Sequence, residues 1–162
     1  AIFETEEKVN RSLKAGAMAI GCDLEIQDTP GYFPLHQDEN LTELLKKHIR
    51  NYMDDSMIAQ GTHGFASGDM GDISMMWPTV EIGTAGFSGT IHGKDFKTAD
   101  PVQAFEIPAR YFADAIEELL SDGGAAAWKI KEAFRPIMSK TDYLEKLDSL
   151  NKSTNFIYSK GE

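Results

Sequence analysis

The chain has 162 residues, of which 41% are hydrophobic and 26% charged, and it carries a formal net charge of −10. This length suits one domain with a buried core, while so acidic a surface repels nucleic-acid phosphates and anionic membranes. No apolar run approaches the roughly 20 residues that a membrane span requires, and the single Cys22 cannot form an internal disulfide. These properties predict a soluble, cytoplasmic protein without a nucleic-acid or membrane partner.

The N-terminal segment is predicted to form a helix followed by a strand. Apolar residues recur at three- and four-residue steps over residues 4–20, and Gly21 stands where helices commonly end. Strict alternation over residues 22–27 indicates a half-buried strand, and a turn follows at 28–31. Because a lone helix–strand pair cannot bury its own apolar face, residues 1–28 are expected to be the end of a larger unit.

The middle of the chain combines a helix, a glycine-rich loop and a strand. A helix is predicted over residues 40–53, opened by a capping box of Asn40 and Glu43. The stretch 61–76 has no apolar period and is predicted to be a functional loop with a short helix near its end. Residues 79–83 have the alternation of a strand.

The last third is predicted to be mainly helical. The three helices are expected at residues 100–121, 125–135 and 141–151. Asp100 is the expected cap of the first, which Pro108 is expected to bend or break. The polar tail after residue 151 is expected to fray, apart from a small strand at 156–158.

These elements together predict an α/β fold, with a small mixed sheet flanked by helices. The loops at 61–76 and 83–96 are expected to meet at one end of that sheet, where open sheets place their ligands. An incomplete sheet would expose an edge strand. We therefore expect pairing with another chain, in a dimer or another homo-oligomer.

His92 is the strongest candidate for a metal ligand or a general base. It follows a glycine-rich run in which Gly86 and Gly89 let the backbone approach a ligand closely, and it precedes a capped helix. An imidazole on such an anchored loop suits either role. The alternative is a surface histidine whose ring bonds a neighbouring carbonyl.

Two loop aspartates are the next candidates. Asp69 and Asp72 lie among glycines that can cradle a ligand, although an ordinary Asp-Gly turn explains the same spacing. His63 is interpreted as a loop histidine, His36 as a weaker candidate, and His48 as the edge of a buried helical stripe. One good histidine falls short of the three or four ligands of a closed metal site, so a complete site within this chain is not expected.

Four segments resemble one enzyme family in order and spacing. They are Asp28-Thr29-Pro30-Gly31-Tyr32-Phe33-Pro34-Leu35, Ser67-Gly68-Asp69-Met70-Gly71-Asp72-Ile73-Ser74, Trp77-Pro78-Thr79-Val80 and His92-Gly93-Lys94-Asp95-Phe96. They resemble the C-terminal half of the aminobenzoyl-glutamate hydrolase branch of the metal-dependent aminoacylase and carboxypeptidase-like amidohydrolases. The resemblance covers about residues 5–122. It implies that residues 1–28 are the tail of a lid or dimerisation domain, and that residues 29–162 are the C-terminal part of a catalytic domain with a zinc-peptidase-like fold.

The resemblance also implies a chemistry. Enzymes of this family use two divalent metals, zinc or manganese, to activate a water that attacks an amide carbonyl, and their substrates are N-acyl amino acids or small peptides. His92 would be the last metal ligand, while Asp69, Asp72, Gly86 and Gly89 would line the substrate pocket. The other ligands and the general-base glutamate belong to an N-terminal half that this chain does not contain.

Three interpretations follow from this incomplete set of ligands. In the first, the chain is a metallopeptidase-like fragment or subunit that is inactive unless the missing half is supplied, and no catalytic residue is assigned to it. In the second, it is a non-catalytic binding or interaction module derived from that fold. In the third, it is a soluble α/β domain whose loops carry no function.

Overall fold

Helices and short antiparallel strands make up the computed structural model, which describes residues 2–59 and 68–159. The helices are α1 (Ile2–Ile20), α2 (Glu39–Ile49), α3 (Asp69–Ser74), α4 (Ile107–Leu120), α5 (Ala125–Ala133) and α6 (Lys140–Leu150). The strands are β1 (Leu24–Asp28), β2 (Phe87–Ser88), β3 (Lys97–Thr98) and β4 (Lys152–Phe156). Among the described helices, none has the length and apolar character needed to cross a bilayer.

The chain divides into two compact units. The first consists of Ala1–Gly31 with Lys140–Glu162, and the second of Tyr32–Ser139. The C-terminal segment belongs to the first unit because β4 pairs with β1. The assignment of the chain to a lid domain and a catalytic domain stays a prediction.

In the first unit, α1 precedes a two-stranded sheet. The predicted helix and the strand after it are confirmed, and Gly21, with a φ of 67°, follows the end of α1. β1 and β4 are antiparallel, with Leu24 opposite Phe156, and Ile26 is buried. The expectation that the polar tail frays is wrong, because main-chain hydrogen bonds to β1 order it despite its polar side chains.

Side-chain contacts reinforce this sheet. Asn10 Nδ2 donates to Asp28 Oδ1 over 3.2 Å, and Lys14 Nζ lies 4.2 Å from the centre of the Phe156 ring. A cation over an aromatic face is attracted by the ring quadrupole. These contacts link α1 to both β1 and β4.

In the second unit, α2 packs against α4. Leu45 and Ile49 of α2 form a buried cluster with Tyr111 and Ala115 of α4. The four residues recur at the four-residue step of a helical face, so each helix presents one apolar stripe to the other. Burial raises the pKa of the Tyr111 phenol, because an apolar setting disfavours the phenolate.

The start of α2 differs from the predicted capping box. Asp38 is the cap, and its Oδ1 accepts a hydrogen bond of 2.7 Å from Leu41 N. The helix therefore begins at Glu39 and ends at Ile49. An aspartate two residues before Asn40 supplies an acceptor that the Asn40–Glu43 pattern did not reveal.

The predicted strand at 79–83 belongs to no strand ladder in the described residues. Thr79 O accepts from Asp38 N at 2.8 Å, and Glu81 N donates to Gln37 Oε1 at 3.2 Å. Side-chain alternation indicated an extended conformation but not a neighbouring strand. The expected small mixed sheet is therefore wrong for the part of the chain described, which has two separate two-stranded antiparallel sheets.

The predicted cap at Asp100 is confirmed. Its Oδ1 accepts from Val102 N at 3.0 Å and from Gln103 N at 3.2 Å. Residues Val102–Glu106 then form a π-helical turn before Pro108 enters the first turn of α4. A proline ring inside a regular helix clashes with the carbonyl four residues earlier, and the wider π turn precedes that position.

We expect Leu45→Ala to lower the free energy of unfolding of the second unit by about 2–5 kcal/mol, because it leaves a cavity in the α2–α4 contact. The matched control is Leu120→Ala, since Leu45 is 3% exposed and Leu120 is 71% exposed. The control should change stability by less than about 0.5 kcal/mol. Trp77 and Trp128 both belong to the second unit, so urea unfolding followed by tryptophan fluorescence measures it. Equal losses in the two variants would contradict the packing.

A second prediction concerns Asp23. Its carboxylate accepts bonds of 2.9 Å from the N and Oγ of Ser159 and from Tyr158 N. These bonds, led by the Ser159 amide, lower the pKa of Asp23 below its ordinary 3.8. Their stabilisation is present above the unfolded pKa and is lost as the pH falls through the lowered one.

The amide proton shifts of Tyr158 and Ser159 should therefore titrate with a midpoint below 3.8. Asp23→Ala should abolish that titration in an NMR pH series. Asp148→Ala, which removes an exposed carboxylate of α6, should leave it intact. A midpoint at or above the ordinary value would show that these bonds do not form.

Candidate functional site

The candidate site is built on a short hairpin. β2 and β3 pair antiparallel, with Phe87 opposite Thr98 and Ser88 opposite Lys97. The connecting loop spans residues 89–96 and contains His92. We call this segment the His92 loop.

The backbone of His92 lies in the left-handed region, with a φ of 63°. Gly93 N donates to Thr90 O over 2.7 Å, which closes a turn around Ile91 and His92. Since Ile91 does not share the positive φ, the signs match a type II turn, whose third position favours glycine. A left-handed residue with a Cβ costs about 1–2 kcal/mol. The glycine that this position favours stands one residue later in the sequence, at Gly93.

Asp95 closes the other side of the His92 loop. Its Oδ2 accepts from Thr90 N at 3.1 Å and from Thr90 Oγ1 at 3.4 Å. Phe96 N donates to Gly93 O over 3.1 Å in a second turn. A Cβ on Gly93 would lie 2.4 Å from Asp95 Oδ1 and 2.9 Å from Thr90 O, so a larger residue there would displace the carboxylate or the turn.

The two glycines that were predicted to line a pocket lie against the protein's own backbone. A Cβ on Gly86 would lie 2.5 Å from Asp100 O, and one on Gly89 would lie 2.3 Å from Asp95 O. Both residues have a positive φ, of 89° and 93°. Gly86 O also accepts from Ala99 N and Asp100 N. These glycines bring the hairpin close to the cap of the next helix, and their contact with substrate stays a prediction.

Aromatic rings anchor the base of the hairpin. Phe87 stacks on Phe96 with ring centres 5.2 Å apart, and it meets Phe105 edge-on at 5.8 Å. Both arrangements are favoured for aromatic pairs. Because Phe105 belongs to the π-helical turn, the hairpin is attached to the element that leads into α4.

The aspartates of the glycine-rich segment have different environments. Asp72 Oδ1 accepts a hydrogen bond of 2.8 Å from Phe33 N, whereas Asp69 is an exposed residue in the first turn of α3. A Cβ on Gly71 would lie 1.8 Å from Phe33 O. Asp72 and Gly71 therefore hold the segment around Phe33 against α3, and Asp69 is the carboxylate more available to a ligand.

The other predicted histidines contribute less. His36 donates its backbone N–H to Ser74 Oγ over 3.0 Å, and Ser74 in turn donates to Gly71 O over 2.6 Å. The His36 side chain is not needed for that contact. His63 lies outside the described residues.

His92 and the two aspartates are not directly joined. In the residues that the structure describes, no hydrogen bond or ion pair connects His92 to Asp69 or Asp72, and the predicted common pocket stays a prediction. No three His, Cys, Asp or Glu side chains of this part lie together as metal ligands. The exposed imidazole of His92 can supply one ligand, and a metal bound there would need its remaining donors from elsewhere.

A cluster of charged side chains between α2 and α4 was not predicted from the sequence. His48 Nε2 and Lys47 Nζ each lie 2.6 Å from Glu118 Oε2. The Lys47 bond, followed by the His48 bond, lowers the pKa of the Glu118 carboxyl. His48 is buried, as its place on the helical stripe predicted, but nothing in the sequence relates it to a carboxylate 70 positions later. This cluster reinforces the contact between the two helices.

The first unit contains an open cleft of about 370 Å³. Its lining residues are Glu6, Glu7, Asn10, Arg11, Lys14, Asp28 and Lys152. Three carboxylates face three cations, so their charges favour no single class of ligand. The cleft contains none of the predicted site residues.

The left-handed backbone of His92 gives a testable expectation. His92→Gly should raise the free energy of unfolding by about 1 kcal/mol, because glycine adopts a positive φ without the Cβ clash. Ile91→Gly, in the same turn but without a positive φ, should give no gain. Urea unfolding followed by tryptophan fluorescence compares the two. If both variants lose stability equally, the turn is not strained at His92.

Comparison with known proteins adds no further assignment. No protein-family model, no curated protein and no solved structure matches this chain. The functional interpretation therefore depends on the chain's own residues and geometry.

Proposed function

We propose that this chain is part of a metal-dependent amidohydrolase that cleaves amide bonds of N-acyl amino acids or small peptides. In this proposal His92 supplies one ligand to a divalent metal centre of zinc or manganese. The first residues, 1–28, would be the tail of a lid domain, and residues 29–162 would complete a zinc-peptidase-like catalytic domain. The isolated chain would be inactive without the residues that supply the other ligands.

The observation that carries the proposal is the backbone of His92. A histidine occupies a left-handed turn position that favours glycine, while a glycine stands next to it. Strained backbone of this kind clusters at functional sites. The ring is exposed and has no hydrogen bond or ion pair within the described residues, so it is accessible to a group from outside.

The chemistry of the proposed site divides between the metal and the chain. The bound metal would lower the pKa of a water and polarise the amide carbonyl. His92 would hold that metal through a neutral imidazole nitrogen. Asp69, being exposed, would accept a hydrogen bond from a donor group of the substrate, while Asp72 would keep its bond to Phe33 N and hold the pocket wall.

The outer face of α4 supports the idea that further protein covers this chain. We define this face by its exposed apolar residues Phe105, Phe112, Ile116 and Leu120 at the helix and the turn before it. Phe112 and Ile116 lie about 100° around the helix from the buried Tyr111 and Ala115, so the apolar surface of α4 extends beyond its buried stripe. A helix that is apolar over most of its circumference is typical of one covered by further protein. The missing part of the proposed catalytic domain would cover that face.

The test is complementation. The chain is co-expressed with the N-terminal half of an aminobenzoyl-glutamate hydrolase-type enzyme, zinc or manganese is added, and hydrolysis of N-acyl amino acids and dipeptides is measured. We expect His92→Ala to lower activity by more than about 100-fold, since even residues that only orient metal ligands cost 10–100-fold.

The matched control is His36→Ala, which removes another exposed imidazole but keeps the backbone N–H that bonds Ser74. It should retain activity within about threefold. Activity that survives His92→Ala would sink the proposal.

A non-catalytic interaction module is the second candidate. The same outer face of α4 favours it, because a partner protein would bury exposed apolar side chains there. Calorimetric titration with zinc, done with and without the N-terminal half and combined with sizing of the oligomer, separates the two candidates. Stoichiometric zinc binding that requires that half and is lost in His92→Ala would contradict the module.

A further inference from the structure

We infer that Asp95 is a positioning residue that holds the His92 loop in the turn presenting the His92 imidazole. The inference rests on the proposed function, because the orientation of His92 matters only if its ring binds something. Asp95 would not touch the metal or the substrate. It would act through the backbone of Thr90.

The hydrogen bonds of Asp95 converge on the first residue of the turn. Asp95 Oδ2 accepts from both Thr90 N and Thr90 Oγ1, at 3.1 and 3.4 Å. Thr90 O is the acceptor that closes the turn, through its bond of 2.7 Å from Gly93 N. Thr90 is thus held by Asp95 on one side and holds the backbone around His92 on the other. A bond to an ionised acceptor is stronger than one between neutral groups.

The glycines of the loop are fitted to Asp95. A Cβ on Gly93 would meet Asp95 Oδ1 at 2.4 Å, and a Cβ on Gly89 would meet Asp95 O at 2.3 Å. An atom of Asp95 is therefore the nearest neighbour of the missing Cβ on both sides of His92, and a larger residue at either glycine would displace it. The His92 loop closes around this one residue.

This arrangement offsets the strain at His92. A non-glycine residue keeps a left-handed backbone only where the surrounding structure over-determines it. The His92 side chain makes no hydrogen bond or ion pair in the described residues that would do so. The bonds from Thr90 to Asp95 are the interactions that fix the turn from inside the loop, and removing them should let His92 relax to a negative φ.

The experiment uses NMR on the whole chain without metal and then with zinc chloride. Three variants are compared with the parent, namely Asp95→Ala, Asp95→Asn and Lys94→Ala. Asparagine keeps an oxygen that can accept from Thr90 N, so it is the conservative rescue. Lys94 is an exposed neighbour in the same loop and serves as the matched control.

Without metal, Asp95→Ala should speed hydrogen exchange at Thr90 N by about tenfold or more, since local opening sets that rate. It should also change the backbone three-bond coupling of His92. Asp95→Asn should largely restore both, and Lys94→Ala should alter neither. An Asp95→Ala protein with unchanged exchange and coupling overturns the inference. The inference is also overturned if Asp95→Ala lowers the free energy of unfolding, measured by tryptophan fluorescence, and Asp95→Asn does not restore it. That outcome would give Asp95 a purely structural role.

With zinc, the parent's His92 ring resonances should shift at about tenfold lower zinc concentration than those of Asp95→Ala. This readout separates the two ideas. If zinc does not shift the His92 ring resonances of the parent, even with the complementing N-terminal half present, the result counts against the proposed function. The role of Asp95 is then still decided by the hydrogen exchange and the coupling measured without metal. A ring that responds equally in both proteins overturns the role of Asp95 alone.

Discussion

The packing of α2 against α4 is the interaction on which the candidate site depends. Leu45 and Tyr111 meet in the buried cluster between the two helices, and α4 continues from the turn capped by Asp100. The same residue donates its backbone N–H to Gly86 O, one residue before β2. The position of His92 is therefore set by a series of contacts that begins in the core and ends at a surface loop.

Helices were predictable because their signals are local. The apolar stripe of α1 and the cap of Asp100 are both contained in a few consecutive residues. Pairing across the chain was not predictable in this way. A small strand was predicted only at 156–158, whereas β4 covers the polar residues Lys152–Phe156 and pairs with β1. Asp23 in turn accepts hydrogen bonds from Tyr158 and Ser159, which follow β4. Conversely, residues 79–83 have the alternation of a strand but lack a neighbouring strand in the described part of the chain.

The local geometry around the candidate site residues was not predictable from the sequence. The sequence indicates that His92 lies in a glycine-rich loop, but it does not indicate a left-handed backbone at a histidine when glycine is the next residue. Asp72 was predicted to line a substrate pocket, and the sequence did not indicate that its Oδ1 accepts a hydrogen bond from the amide of Phe33; the contact of Asp72 with substrate stays a prediction. The sequence assigns no role to Asp95, because its hydrogen bonds to Thr90 depend on how the loop folds back on itself.

The π-helical turn before α4 has a consequence for the register of the chain. A residue added to a helix rotates everything before it by about 100° about the axis. Phe105 lies in this turn, and its edge-on contact with Phe87 depends on that rotation. A one-residue deletion in this turn would produce a more regular helix, but it would also rotate Phe105 away from Phe87 and the hairpin. The number of residues between Asp100 and Pro108 thus fixes the rotation of Phe105 relative to α4. Homologous chains that carry the same loop should preserve this number more strictly than the residue types within it.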